Sequence, residues 1–341
     1  MVNMRFPKII IGIVVVTSLW TGFNLSHAGA QAANANAAQG MQISPTLVNL
    51  KAEKGKTYEI TIGVTNVTGS DLLYTTSVAD FGAGGETGSP RIITDSKLPA
   101  TASITSWVTA VPEFTLEPHK TRMVTAQVAI PNNAEPGGHY GVLQFSGTAP
   151  KLESTGVGLS ASAGVLILIR VGSDSEIVEK ASLASFYTSA TQSGNQNSFF
   201  ENGPVSFITR IKNEGNVHIQ PVGNIEVRDM FGGLVKNLPV NKDKSNVLPN
   251  SIRRFDEQKL DKPWMFGLYT VNLTLGYGTT GQAITNTISF WVIPWKIILA
   301  ALLVLATVIF ILRRMIKVYN RRIIEKHKNE NKNKKHTKKK D

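Results

Sequence analysis

The segment that begins at Ile297 and ends at Leu312 constrains this chain more than any other feature, because it carries no charged side chain. Apolar residues extend it on the N-terminal side, and about 20 such residues cross a bilayer as a helix. Trp291 and Trp295 suit the headgroup level, where an apolar ring with a polar N–H meets both environments. Arg313 and Arg314 begin a basic stretch, which by the positive-inside rule places that end in the cytoplasm. Residues 30–293 are therefore expected outside a cell membrane crossed once.

The net charge of +12 belongs to the two ends of the chain. Arg5 and Lys8 precede the first apolar segment, and thirteen Lys and Arg with three acidic residues follow Leu312. Basic and acidic residues are equal in number between these ends. A nucleic-acid-binding domain would carry a basic stripe on its folded body, so nucleic acid is not an expected partner and the membrane is.

A second apolar run covers residues 9–20 and precedes small residues that offer a cleavage site at 26–28 or 28–30. This pattern predicts a secretory signal peptide over residues 1–30. An uncleaved anchor is the alternative, which the shortness of the run disfavours. Residues 31–40, an Ala, Asn and Gln tract, are expected to form a flexible leader.

Between these segments the hydrophobic pattern has a period of two. Residues 57–64 and 269–275 alternate apolar and polar side chains, which predicts strands with one buried face. Further strands are predicted at 72–80, 121–130, 138–147, 164–171, 177–187, 205–213, 223–229, 267–276 and 284–293. The predicted fold is all-β: two immunoglobulin-like β-sandwich domains, at 41–172 and 173–293, followed by a single transmembrane α-helix at 294–313 and a basic cytoplasmic tail at 314–341. The Lys and Asn-rich end of that tail is expected to be disordered.

The sequence contains no motif of a known catalytic centre. The histidines expected outside the membrane, His119, His139 and His218, are far apart in turn-rich stretches. The chain is therefore expected not to be an enzyme and to need no cofactor, with a site assembled from distant residues as the alternative.

Metal ligands are equally sparse. The chain has no cysteine, which excludes disulfides and thiolate metal sites. Asp80, Glu86 and Asp95 flank a Gly-rich loop and are candidate calcium ligands, although solvated turn carboxylates are the favoured interpretation. No metal site is predicted.

Three residues are candidates for binding. Trp107 is either an exposed recognition anchor or, as favoured, a core residue of the first sandwich. The glycines around His139 and Tyr140 permit a tight bend, so these two side chains are either displayed or buried.

Several phrases together resemble the WxL-interacting protein family of Gram-positive bacterial surfaces. They are Ile43-Ser44-Pro45, Thr65-Asn66-Val67-Thr68, Ser106-Trp107-Val108, Phe114-Thr115-Leu116-Glu117-Pro118, Asn133-Ala134-Glu135-Pro136-Gly137-Gly138-His139-Tyr140-Gly141, Asn213-Glu214-Gly215-Asn216-Val217-His218, Leu248-Pro249-Asn250-Ser251 and Phe290-Trp291-Val292-Ile293-Pro294-Trp295. The resemblance implies a membrane-tethered scaffold whose first domain is associated with peptidoglycan and whose second domain is associated with partner proteins. It transfers no ligand-contact residue.

The leading hypothesis is a surface scaffold that engages cell-wall polymer or secreted partner proteins. The alternative is an assembly factor that acts on surface subunits by β-strand addition, and a third hypothesis is an accessory subunit of a membrane complex. Strand addition requires an unpaired strand edge, which is the feature that separates the second hypothesis from the first.

Overall fold

Alternating apolar and polar residues form the strands of the computed structural model, which describes residues 37–38, 40–93, 100–148 and 160–337. The fold is all-β with one C-terminal apolar helix, as predicted. The signal peptide and most of the predicted leader lie outside the described residues. Ala37–Ala38, within that leader, form a short strand beside residues 41–42.

The first β-sandwich contains ten strands in two sheets. They are β1 (Ala37–Ala38), β2 (Met41–Ser44), β3 (Leu47–Ala52), β4 (Thr57–Asn66), β5 (Leu72–Ala83), β6 (Pro90–Ile93), β7 (Phe114–Leu116), β8 (Thr121–Ala129), β9 (Gly137–Thr148) and β10 (Ser160–Val171). One sheet has the order β1-β2-β4-β8 and the other β3-β10-β9-β5-β6, with β7 beside β5.

The second β-sandwich has eight strands. They are β11 (Ala181–Ser189), β12 (Phe199–Phe200), β13 (Val205–Asn213), β14 (Val222–Arg228), β15 (Leu234–Val240), β16 (Ile252–Leu260), β17 (Gly267–Tyr277) and β18 (Gln282–Val292). The sheet orders are β11-β13-β16 and β12-β18-β17-β14-β15.

The two sandwiches share one topology. In each, a short early strand runs parallel to the last strand, β3 beside β10 and β12 beside β18. In the first sandwich, Pro45 separates β2 from β3, and a residue without an N–H suits the point where a chain leaves one sheet for the other. The cores are filled by inward residues such as Ile62 and Phe145 in the first and Val271 and Phe290 in the second.

A buried asparagine ends β4 in the first sandwich. Asn66 is fully buried, and its Nδ2 donates to the carbonyl oxygens of Ser70 (2.8 Å) and Leu116 (2.9 Å). Its Oδ1 accepts from the backbone N–H of Thr68 at 2.9 Å. One buried side chain therefore hydrogen-bonds to three backbone groups at the end of the strand.

The same arrangement ends β13 in the second sandwich. Asn213 is fully buried, and its Nδ2 donates to the carbonyl oxygens of Val217 and Val247, both at 2.8 Å. Its Oδ1 accepts from the N–H of Gly215 at 2.9 Å. Both asparagines lie in phrases that carry the family resemblance, which assigns these phrases a structural role.

The turn before β8 and the turn before β16 also correspond. His119 and Asn250 both adopt the left-handed conformation, with φ of 56° and 55°. The carbonyls of the next residues, Lys120 and Ser251, each accept from the N–H of the buried asparagine at 3.0 Å. His119 is thus a turn residue.

Helix α1 (Trp295–Thr337) follows β18 after two residues, and its apolar part is a candidate membrane span. The hydroxyl of Thr307 donates to the carbonyl of Leu303 at 2.8 Å, so this polar group has a partner within the helix. The helix continues through Thr337, which corrects the expectation of a disordered tail. Its sequence contains no Gly or Pro to end it, and extending a formed helix costs far less than nucleating one.

Replacing Asn66 or Asn213 by Ala should lower the free energy of unfolding by about 1–3 kcal/mol, because the hydrogen bonds that the buried amide makes to the backbone are lost. Asn237→Ala, on the exposed face of edge strand β15, is the control and should change it by less than about 0.5 kcal/mol. Chemical denaturation of the three variants measures this. Equal, small effects at all three positions would contradict the role of the buried asparagines.

Candidate functional site

Trp107 and His139 lie inside the first sandwich. Trp107 is 1% exposed and His139 is 3% exposed, with ring centroids 4.6 Å apart. The Nδ1 of His139 lies 3.0 Å from the carbonyl oxygen of Ala102, and its Nε2 lies 2.8 Å from that of Glu135. His139 therefore joins two loop segments, and Trp107 is not an exposed anchor.

Tyr140 lies where the two sandwiches meet. Its hydroxyl is 3.3 Å from Nδ1 of His218, and the two rings meet edge to face with centroids 5.7 Å apart. Burial raises the pKa of Tyr140. Burial, and secondly the positive charge of Arg170, lower the pKa of His218 to about 4. Both groups are therefore neutral at pH 7, and their contact joins an uncharged hydroxyl to an uncharged imidazole.

The glycines beside Tyr140 also contribute to the contact between the two sandwiches, which we call the joint. The N–H of Gly138 donates to the carbonyl oxygen of Asn216 at 2.8 Å. Gly137 has a φ of 134°, and a Cβ added there would lie 2.8 Å from the same oxygen. A larger residue at Gly137 would therefore be strained and would collide with the second sandwich. The most specific phrase of the resemblance thus contacts the phrase around Asn216 and marks the joint.

Charged and apolar contacts widen the joint. The carboxylate of Glu86 accepts from both Nε (2.7 Å) and Nη2 of Arg210, and its backbone carbonyl accepts from the N–H of Arg254 at 2.8 Å. Leu248 of the second sandwich packs against a buried cluster of the first that includes Leu168. These contacts join the two sandwiches, which are consecutive in the sequence, with hydrogen bonds, an ion pair and apolar packing.

The candidate calcium ligands have other partners. Asp80 accepts from the Ser103 hydroxyl (2.6 Å) and the Ile104 N–H (2.9 Å), while Glu86 is paired with Arg210. Asp95 lies outside the described residues. Across the part of the chain that the structure describes, no three acidic or histidine side chains converge to hold a metal ion.

The last strand of the second sandwich has an open edge. On the side away from β17, the N–H of Trp291 donates to Ser198 and that of Ile293 to Phe200, both at 2.8 Å. In an antiparallel pair, alternate residues direct both backbone groups to the same side. The backbone groups of residues 283, 285, 287 and 289 therefore also point away from β17, and none has a backbone partner among the described residues.

This edge lacks the usual protection. Natural edge strands often carry Pro or charged residues such as Lys, which discourage pairing with another chain. Edge strand β15 of the same sheet contains Lys236 and Pro239, whereas β18 contains no charged residue and no Pro. The side chains of Ala283, Thr285 and Thr287 are exposed. We call the outward backbone of residues 283–289 the β18 edge.

Strand β10 of the first sandwich has a shorter counterpart. The N–H of Leu166 donates to Thr46 at 2.9 Å, and β3 covers the strand from Leu166 to Val171. The outward backbone of residues 160, 162 and 164 has no backbone partner among the residues described. The β18 edge is therefore the longer of the two. Sequence analysis placed β18 but not its free side, since that depends on where residues 198–200 dock.

Lowering the pH from 6.5 to 4 should destabilise the joint through His218. The pKa of His218 is depressed in the folded protein, so the unfolded chain takes up the proton first and stability falls as pH falls. The loss is about 3 kcal/mol at most across this window and levels off below it. Thermal unfolding against pH measures it. His218→Gln should flatten this slope; an unchanged slope would contradict the assignment.

Backbone amides of the β18 edge should exchange rapidly with solvent in the protein without a partner. Those of Thr285, Thr287 and Ser289 have no acceptor among the described residues, whereas the amide of Trp291, on the same strand and side, donates to Ser198 and should exchange slowly. Hydrogen exchange resolved to single amides tests this. Equal protection of Thr287 and Trp291 would show that the edge is covered.

No protein-family model matches this sequence, and no curated protein matches it. Among solved structures, the YadV chaperone is similar over 74% of this chain and 100% of its own, at 11% identity and a TM-score of 0.35. The E. coli chaperone DraB is similar over 74% of this chain and 96% of its own (14% identity, TM-score 0.33). The structure of Salmonella enterica SafA pilin in complex with the SafB chaperone is similar over 74% of this chain and 96% of its own, at 13% identity and a TM-score of 0.33. These TM-scores carry no argument about function.

Proposed function

We propose that this chain is a non-enzymatic, membrane-anchored surface protein that binds an extended segment of a partner protein along the β18 edge. The β18 edge carries this proposal, because it is an uncharged strand side whose backbone groups have no partner among the described residues. Strand addition to such an edge is a known mode of peptide recognition. This favours the second of the three functional hypotheses.

Backbone hydrogen bonds would supply the affinity. Residues 283, 285, 287 and 289 each offer one N–H and one carbonyl to an incoming strand. The partner segment gives up backbone hydrogen bonds to water when it binds. Each of these is replaced by a backbone hydrogen bond along the β18 edge, so little free energy is lost.

Side chains beside the edge would supply the selectivity. Ile284 and Ile288 are half-buried on the core face, and Thr285 and Thr287 are exposed on the opposite face. Cross-strand neighbours contact each other in pairs. The matching partner segment therefore alternates apolar and polar residues and carries few charges.

The membrane anchor determines where such a partner is found. With Arg313 and Arg314 in the cytoplasm, as the positive-inside rule predicts, both sandwiches would lie outside the cell membrane. β18 runs into this helix after two residues. The captured segment would therefore belong to a secreted or surface protein held close to the bilayer.

Membership of the WxL-interacting protein family is part of this proposal. The resemblance implies that the second domain is associated with partner proteins, which agrees with an edge in the second sandwich. Peptidoglycan contact by the first domain stays a prediction from the same resemblance.

Thr287→Pro tests the proposal. Proline removes the outward N–H and adds a ring at the edge, while the bonds to β17, which Thr287 does not make, are kept. Thr287→Val is the matched control: both variants lose the hydroxyl bond to Asn272, but the valine variant keeps the N–H. The full chain in lipid nanodiscs should select alternating apolar peptides from a random decapeptide display library.

The selected peptides should bind wild type and Thr287→Val alike and lose at least about tenfold in affinity for Thr287→Pro, equivalent to the roughly 1.4 kcal/mol expected for a lost backbone bond. Thermal unfolding confirms that the proline variant is folded. Selection of no peptides, or equal binding to all three proteins, would overturn strand addition.

A further inference from the structure

The exposed aromatic side chains of the β-sandwiches are all at one end. In the described residues before α1, the aromatic residues with large exposed areas are Phe199, Phe231, Trp264, Phe266 and Trp291. Phe231 is 90% exposed and Trp264 is 75% exposed. Aromatic side chains are normally buried in water-soluble domains. A group of exposed aromatic side chains at one place therefore indicates a surface that contacts an apolar partner.

The sheet register places them at the end where the helix begins. Gly267, the first residue of β17, pairs with Val292, the last residue of β18, and Arg228, the last residue of β14, pairs with Thr270. The loop at residues 229–233, the loop at 261–266 and the exit to α1 therefore emerge from the same end of the second sandwich. We call these two loops the membrane-end loops.

Both loops are built to present their aromatic residues. In the first, Oδ1 of Asp229 accepts from the N–H of Phe231 and of Gly233, both at 2.9 Å, and this closes a turn with Phe231 at its tip. In the second, Met265 is buried in the core, while Trp264 and Phe266 on either side are exposed. The core contact of Met265 thus directs its two neighbours outward.

We propose that the membrane-end loops insert into the headgroup layer of the bilayer that α1 crosses, so that the second sandwich binds lipid directly. This rests on the proposed membrane anchor. Lipid is the occupant because β18 ends at Val292 and α1 begins at Trp295, which brings the loops to the membrane surface. Trp and Phe favour that layer, and a few such side chains inserted there bind a protein surface to lipid.

This attachment has a consequence for the β18 edge. A single helix after a two-residue connection leaves a domain free to tilt, whereas three contacts at one end fix its orientation. The β18 edge then stands upright from the bilayer, with Trp291 at its base, and is presented outward along its length.

Single cysteines test the inference, since the chain contains none of its own. The full chain, labelled with an environment-sensitive fluorophore at Phe231→Cys or Trp264→Cys, is placed in phosphatidylcholine and phosphatidylglycerol nanodiscs with nitroxide lipids that quench near the headgroups. Met123→Cys is the matched control, because Met123 is an exposed apolar residue (64%) of the first sandwich. Ile309→Cys, in the apolar part of α1, reports on the helix with nitroxides placed along the acyl chains.

The labels at residues 231 and 264 should lose most of their fluorescence and the label at residue 123 should lose none. Quenching at residue 309 without quenching at residues 231 and 264 would overturn the lipid contact and leave the anchor intact. No quenching at residue 309 would overturn the anchor, and with it this inference. Labels at residues 231 and 264 that are shielded from water yet unquenched would show a protein on this surface and would also overturn it.

Discussion

In each sandwich, the length of the strand that pairs with the last strand determines how much of that last strand is left without a neighbouring strand. In the first sandwich, β3 covers the last strand from Leu166 to Val171. In the second, β12 pairs only with Trp291 and Val292. The backbone groups along the side of a strand must hydrogen-bond to another strand, a side chain, water or another molecule. Because β12 is short, most of this side of β18 has no strand beside it among the described residues.

The joint between the sandwiches explains residues that otherwise look like a ligand site. Gly137 and Gly138 allow the backbone of the first sandwich to reach Asn216 of the second. Tyr140 then meets His218 in a half-buried, neutral pair. These residues are therefore accounted for by the contact between the sandwiches.

The end of the second sandwich nearest the helix unites the two proposals. Phe231 and Trp264 are held outward by a closed turn and by a buried methionine, and the β18 edge reaches Ser289, two residues before Trp291 at this end of the sandwich. A partner segment that adds to β18 would therefore lie next to the bilayer. Both proposals involve β18, the strand that has the open edge and that leads into the candidate membrane span.

The sequence by itself determined the elements whose cause is local. Charge and hydropathy located the helix around residues 297–312, and alternation located β4 and β17. Strand β16 was missed, because most of its residues are Arg, Asp, Glu, Lys or Gln and the register shift between Phe255 and Gln258 breaks the period of two. The sequence also singled out the phrases around residues 139 and 216, although not their contact with each other. Only the tertiary structure decided that Trp107 is buried and that β18 has a free side, because strand pairing and burial depend on segments distant in the chain, such as residues 198–200 beside β18, and no local pattern encodes them.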